Sequence, residues 1–277
     1  MSYLNRDLAA LPAEVWDEID TAAATAARDV LTGRRFLDIE GPFGVGLTSL
    51  EVGADDYCRQ ARPDEAGAIV SRAIAVPMLR KSFNLSVRRV QGHLDMGLPL
   101  DFTPAQNAGE AVARREEEFI YYGNPDFGLE GLLTAKGRHE ITAADWSQVE
   151  QALNDVLSAV NRLDGSGFHG PYALALSPAL YNTLFRRYEG TDMLQLEHLK
   201  RLCELGVYKA AIDGAVLVDS HVGRLMLGQD LMTGYSSNDG IHYQLFSSES
   251  IVLMLDDPEA VCVLTPPEPA ATPKRPA

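Results

Sequence analysis

Cysteine is scarce in this sequence: Cys58, Cys203 and Cys262 stand far apart, and none shares a CxxC spacing. That excludes a disulfide framework and the common cysteine-rich zinc sites, and it favours a reducing compartment. No run approaches the roughly 18 apolar residues that cross a bilayer. The opening stretch, MSYLNRDLAALPAEVWDEID, lacks a basic region followed by an apolar core, so no secretory signal is expected and the expected address is cytoplasmic. Basic residues are in the minority. There are 24 Lys and Arg against 39 Asp and Glu, a formal net charge of −15, which repels nucleic acid and anionic membranes over a Debye length. Neither is expected as a partner. The acid is concentrated late in the chain, where residues 213–259 hold eight acids and one base, Arg224.

Catalytic patterns are missing too. GPFGVG (residues 41–46) has neither the GxGxxG spacing nor the Lys-Ser/Thr of a phosphate-binding loop, and it is read as a turn leaving a strand. Gly165-Ser166-Gly167 lacks the GxSxG spacing of a nucleophile elbow and follows a helix rather than a strand. The six histidines (His93, His139, His169, His198, His221 and His242) form no HxH, HxxxH or HExxH pair. Glu116, Glu117 and Glu118 suggest a carboxylate metal site, but consecutive helical residues point about 100° apart. Next to Arg114 and Arg115 they are read as a solvated or inter-subunit ionic face. No enzyme activity, metal site or cofactor is expected.

What the chain does contain is a succession of clear elements. Pro12 opens a helical pattern in which Val15, Trp16, Ile19, Ala23 and Ala26 recur, and Gly33 stops it. FLDIEG then reads as a short strand. Residues 47–83 are β-rich around a polar stretch, which predicts an extended two-stranded arm with its tip near 55–67, and the strand character carries on to about residue 90. A ribbon with so little core needs something to lie against. Residues 105–123 form a strong helix signal; further helices are expected after Asp145, over 178–188 and over 193–205. YALALS, AVLVD, RLMLG, YQLF, SIVLML and AVCVL read as separate strands, and the Pro/Ala-rich residues 265–277 as a disordered tail. The order is neither alternating nor segregated, so the class is α+β.

Five segments, in order, resemble the encapsulins, the linocin-type family of bacterial shell proteins. They are LNRDLAALPAEVWDEID, GRRFLDIEGPFG (33–44), EEEFIYYGNPDFGLEGLL (116–133), GPYALALSPALY (170–181) and LGQDLMTGY (227–235). The resemblance implies the fold of tailed-phage major capsid proteins. Residues 1–46 would start a peripheral domain, 47–83 would be its extended loop, and 84–131 would carry the spine helix. Residues 132–211 would form the axial domain, with a return to the peripheral domain over 212–264. It further implies an icosahedral container built of many copies, enclosing a cargo enzyme held by a short C-terminal peptide. PLDFTPAQNA (99–108) and residues 184–207 look like members whose cargo is a ferritin-like iron-storage protein, a peroxidase being the other cargo class.

By position, Arg34 and Asp38 resemble the polar contacts of the cargo-peptide groove, with Leu8, Leu231 and Tyr235 as apolar contacts. On that reading Arg34→Glu lowers loading and leaves particle size unchanged. Some relatives stack a flavin on a Trp where this chain has Arg88, so no flavin is expected by that route. A phage or prophage capsid protein is the alternative under the same fold, and the charge of −15 argues against packaged DNA. A peptidase or bacteriocin role finds no nucleophile–base spacing to support it.

Overall fold

The structure, a computed structural model, describes residues 3–53, 56–57, 64, 66–188 and 192–266. Most of the arm tip and the tail from residue 267, with Cys58, lie outside the described residues. The chain divides into two compact units, one of residues up to 131 with 224–254, the other of 132–223 with residues from 255 onward.

In the first unit α1 (Ala13–Val30) follows Pro12, and its buried stripe is Val15, Trp16, Ile19, Ala23 and Ala27. A short strand, β1 (Asp38–Glu40), precedes the arm. The arm consists of β2 (Ser49–Glu51), β3 (Asp56–Tyr57), β4 (Ile69–Val70) and β5 (Ala73–Ala75), with β2 paired to β5 and β3 to β4. From β6 (Met78–Ser86) onward the chain belongs to a larger sheet. The expectation of continued strand beyond this point is wrong. Val87–Met96 is a helix, α2, with Val90 and Gly92 on its buried side and Gly97 as its cap.

The long helix α3 (Thr103–Tyr122) starts with Pro104 in its first turn and stops at Gly123. Its inner face is Ala105, Ala108, Gly109, Val112 and Ala113, small enough to bring its backbone close to that of α1. At Gly109 the approach is closest, because a Cβ there would lie 2.3 Å from the Ala23 carbonyl oxygen. A small ladder, β7 (Gly123–Asn124) with β8 (Leu129–Glu130), follows.

The second unit opens with β9 (His139–Thr142) and α4 (Gln151–Gly165). Trp146 lies before α4 rather than within it, yet it is buried, and its indole N–H donates to Asp155 at 2.7 Å. Then come β10 (Tyr172–Leu176), α5 (Pro178–Thr183), α6 (Gln195–Leu202), β11 (Gly206–Lys209) and β12 (Ala215–Asp219). α5 is shorter than its pattern predicts, ending at Thr183.

Back in the first unit, β13 (Gly223–Asn238) and β14 (His242–Leu255) are two long strands where the sequence suggests several short ones. β15 (Val261–Thr265) completes the second unit. The first unit's sheet has the order β1-β13-β14-β6, and the second unit's β11-β10-β12-β15-β9. Thus β12 and all but the last residue of β15 fall within residues 212–264, yet both strands belong to the second sheet. In β10 and β12 every residue is buried, as continuous apolar runs require. Their core also takes in Val156, Ala159 and Leu163 of α4 and Leu199 of α6.

Candidate functional site: a guanidinium among carboxylates beside an apolar cavity

α1 gives way at Leu31 to a tight turn over Thr32–Arg35 that is held from α3. Glu117 accepts from the backbone N–H groups of Thr32 and Gly33, each at 2.9 Å, and from the Thr32 hydroxyl. The Tyr121 hydroxyl lies 2.8 Å from Thr32 Oγ1. A Cβ at Gly33 would stand 2.7 Å from Ile120 Cδ1, so a larger residue there requires the Ile120 side chain to shift. The hydrogen bonds to Glu117 hold the turn that carries Arg34.

The Arg34 guanidinium is surrounded. Its Nε and Nη2 donate to the two oxygens of Glu116 at 2.7 and 3.0 Å, its Nη1 donates to Asp230 at 3.0 Å, and its Nη2 also donates to Glu249. Glu116 is 0% exposed, Glu249 2%, and the Asp230 side chain 61%. A planar fork with five donors suits this task as an ammonium would not. Burial is the main influence on Glu116 and pushes its carboxyl up to about 7; Arg34 opposes this, while Glu117 and Asp230 add to it. Burial also raises Glu117, against the hydrogen bonds from Thr32 and Gly33.

The reading of Glu116–Glu117–Glu118 as a solvated face is overturned for the first two. Glu116 and Glu117 are core groups, and only Glu118 is exposed, paired with Arg115. Two helical steps of about 100° put Glu118 on roughly the opposite side of α3 from Glu116. Arg34 is a strut among buried carboxylates, so Arg34→Glu is now expected to cost the subunit stability and not only cargo.

Beside this group is a cavity of about 100 Å³ lined by Ala24, Ala27 and Arg28 of α1 and by Leu31 at its end, with Arg34, Asp230, Leu231 and Glu249. Leu231, Thr233 and Tyr235 alternate onto one face of β13. The middle member clamps α1: Asp20 accepts from the Thr233 N–H at 3.0 Å and from its hydroxyl at 2.5 Å. Arg6 joins the same junction, donating to Asp20 at 2.6 Å and to the Thr233 carbonyl at 2.8 Å, and it stacks over Trp16. The N-terminal turn is thereby latched to helix and strand together.

The five residues singled out from the sequence divide accordingly. Arg34 and Leu231 share the cavity. Tyr235 is half-buried on the far side of the clamp, its N–H donating to the Leu4 carbonyl at 2.8 Å. Leu8 ends the latched turn, 63% exposed. Asp38 is exposed on β1, in register with Arg224, and is not among the carboxylates on Arg34. Sequence reasoning missed Glu116, Asp230 and Glu249. Glu249 did carry a signal, since a lone acid between YQLF and IVLML cannot stay buried without a cation.

Elsewhere, Arg88 lies in α2 and lines a cavity of about 580 Å³ with Arg89, Gln91, Asp95, Met96 and Leu98. Ser166 Oγ lies 3.0 Å from His139 Nε2, with no carboxylate behind that ring among the described residues. No group of three or more His, Cys, Asp or Glu is placed to hold a metal ion among the described residues. No described helix is long and apolar enough to cross a membrane.

The sequence is 30% identical, over 264 residues, to the type 1 encapsulin shell protein of Myxococcus xanthus, covering 91% of this chain and 92% of that one. In structure it resembles a virus-like particle from Pyrococcus furiosus, with a TM-score of 0.71 at 22% identity, over 91% of this chain and 99% of that one. It also resembles the capsid of the Myoviridae phage XM1, with a TM-score of 0.59 at 16% identity, over 84% and 90% of the two chains. The mixed helix-and-sheet architecture is thus that of tailed-phage major capsid proteins. A family model described as an encapsulating protein for peroxidase matches residues 1–252. The chain belongs to that family, the encapsulin shell proteins.

Proposed function

We propose that copies of this chain close into an icosahedral compartment in the cytoplasm and retain a cargo enzyme by a short peptide tail docked between α1 and β13. The first unit would be the peripheral domain, with residues 47–77 as its extended loop, and the second the axial domain. The arm supports assembly in a specific way. Ile69 and Val70 are exposed, and neither two-stranded piece has a core of its own, so the surface of a neighbouring copy is what covers them.

The observation that carries the docking site is the cavity itself, where Leu231 opens onto Ala24, Ala27 and Leu31 beside a fixed polar group. The cavity receives the end of one aliphatic side chain of the tail, and neighbouring tail residues lie along Leu8 and Tyr235. Burial contributes about 25 cal/mol per Å² of apolar surface, less the ordering of a flexible tail. One tail binds weakly. An oligomeric cargo presents several, and effective concentration inside the shell makes retention tight. The family description favours a peroxidase as cargo, and a ferritin-like iron-storage protein is the second class.

Co-expression with the cargo followed by quantification of what co-purifies tests this. Leu231→Asp and Leu8→Asp are expected to give shells of normal size with little or no cargo. Leu8 is the cleaner of the two, because an exposed residue costs the fold little when changed. Full loading in both variants would move the docking site elsewhere.

A further inference from the structure

We propose that docking in the α1–β13 cavity is proton-linked: a proton held by the carboxylates around Arg34 leaves as a basic side chain of the docked tail arrives. This rests on the docking reading above and adds how that site is regulated.

The geometry favours a bound proton. Glu116 and Glu249 are almost wholly buried, and with the solvent-facing Asp230 they share one guanidinium. Were both glutamates ionised, Arg34 would compensate only one of two negative charges that water cannot screen, with the Asp230 charge adding to the excess from the solvent side. Glu117 is a fourth carboxylate on the same stretch of α3. The remaining cations give limited relief: Arg28 is exposed on the cavity rim, and Arg35 acts on Glu117. Coupled carboxylates of this kind titrate as a set, so the proton belongs to the group rather than to one residue. Its release falls close to neutral pH, because burial raises Glu116 to about 7.

The cavity opens directly onto this charge, since Arg34, Asp230 and Glu249 form its polar wall. A tail that places a guanidinium or ammonium there compensates the negative charge the proton was neutralising. The balance is simple: the carboxylic acid becomes carboxylate, its proton passes to solvent, and the incoming cation takes over the compensation. By reciprocity, raising the pH tightens the tail and docking the tail lowers the carboxyl's pKa. Retention is then weaker in acid and stronger in base for a basic tail, and indifferent to pH for a neutral one.

Calorimetric titration of cargo-free shells tests this with two probe peptides. Both are acetylated and amidated, built of Leu, Val, Gly and Ser, and they differ only in one Arg replaced by Gln. Between pH 6 and pH 8 the Arg peptide is expected to tighten by roughly five- to ten-fold. Near pH 7 it should release part of one proton, read from the difference between phosphate and Tris buffers. The Gln peptide should show neither effect. Glu116→Gln keeps the shape and one of the two hydrogen bonds from Arg34 but cannot ionise, so the Arg peptide should bind it without pH dependence. The buffer comparison on the unmutated shell stands even if that variant folds poorly.

If Leu231→Asp abolishes binding while the Arg peptide shows no pH dependence in the unmutated shell, the proton linkage is wrong and docking stands. An unchanged pH slope in Glu116→Gln would equally overturn the linkage. Absence of binding at every pH, or binding indifferent to Leu231→Asp, would overturn the docking reading together with the linkage built on it.

Discussion

Replacing Arg34 by alanine is expected to cost the subunit about 3–5 kcal/mol, the usual penalty for removing one partner of a buried ion pair. The reason lies in what remains. Glu116 and Glu249 would be left buried with no cation between them, forced either to take up protons or to stay uncompensated, and only Asp230 could turn to solvent. Arg34→Glu would be worse, adding a further carboxylate to the same spot. The expected readouts are a fall of roughly 6–15 °C in melting temperature and a large loss of soluble shell. Removing the charge altogether should undo most of this: Arg34→Met combined with Glu116→Gln and Glu249→Gln is expected to recover much of the stability, because buried ion pairs are often replaceable by neutral groups of similar size. Asp230→Asn should matter little to the fold, since the Asp230 side chain is mostly exposed. If Arg34→Ala melts with the unmutated shell, the guanidinium is not the strut described.

Deleting residues 55–67 and rejoining the chain with a short Gly-Ser link is expected to abolish full-size particles while leaving circular dichroism nearly unchanged. Among the described residues, those that hold α1, α3 and the first sheet together lie outside the arm, and so do those of the second unit's core. Of the arm's remaining strands, β2 and β5 pair with each other, and β4 loses its partner β3. Their folding value is small and their assembly value large, because exposed Ile69 and Val70 gain burial only on another copy. Particles of normal size from the deleted chain would show that the arm is not an assembly element. A collapse in helical signal would show that it supports the subunit itself.

Much of this architecture is legible from periodicity. α1, α3 and α6 announce themselves because each carries an apolar stripe at helical spacing, and β10 and β12 because they are nearly continuous apolar runs. α2 is not legible. FNLSV alternates with period two as β6 ends, and Val87 and Val90 satisfy a helix only once Val87 has left the sheet for its bond to the Ile241 carbonyl. The long strand β13 is disguised by glycines that look like turns, and β14 by the polar run SSES between its apolar halves. Gly234 is instead a packing site, where a Cβ would lie 2.3 Å from the Phe246 ring.

The site is legible in part for the same reason. Arg34 and Leu231 could be picked out by position, but the carboxylates that define their surroundings come from α3, β13 and β14, far apart in sequence. A run such as Glu116–Glu118 reads as solvated until a partner for its buried members is known. That partner lies more than eighty residues earlier.

The central claim, that this chain is a subunit of a closed compartment, is tested most directly by the particle it forms. Negative-stain electron microscopy of the purified protein at micromolar concentration and neutral pH, with the mass measured by light scattering, should show uniform hollow spheres in the megadalton range. A stable monomer or dimer under those conditions would contradict the account.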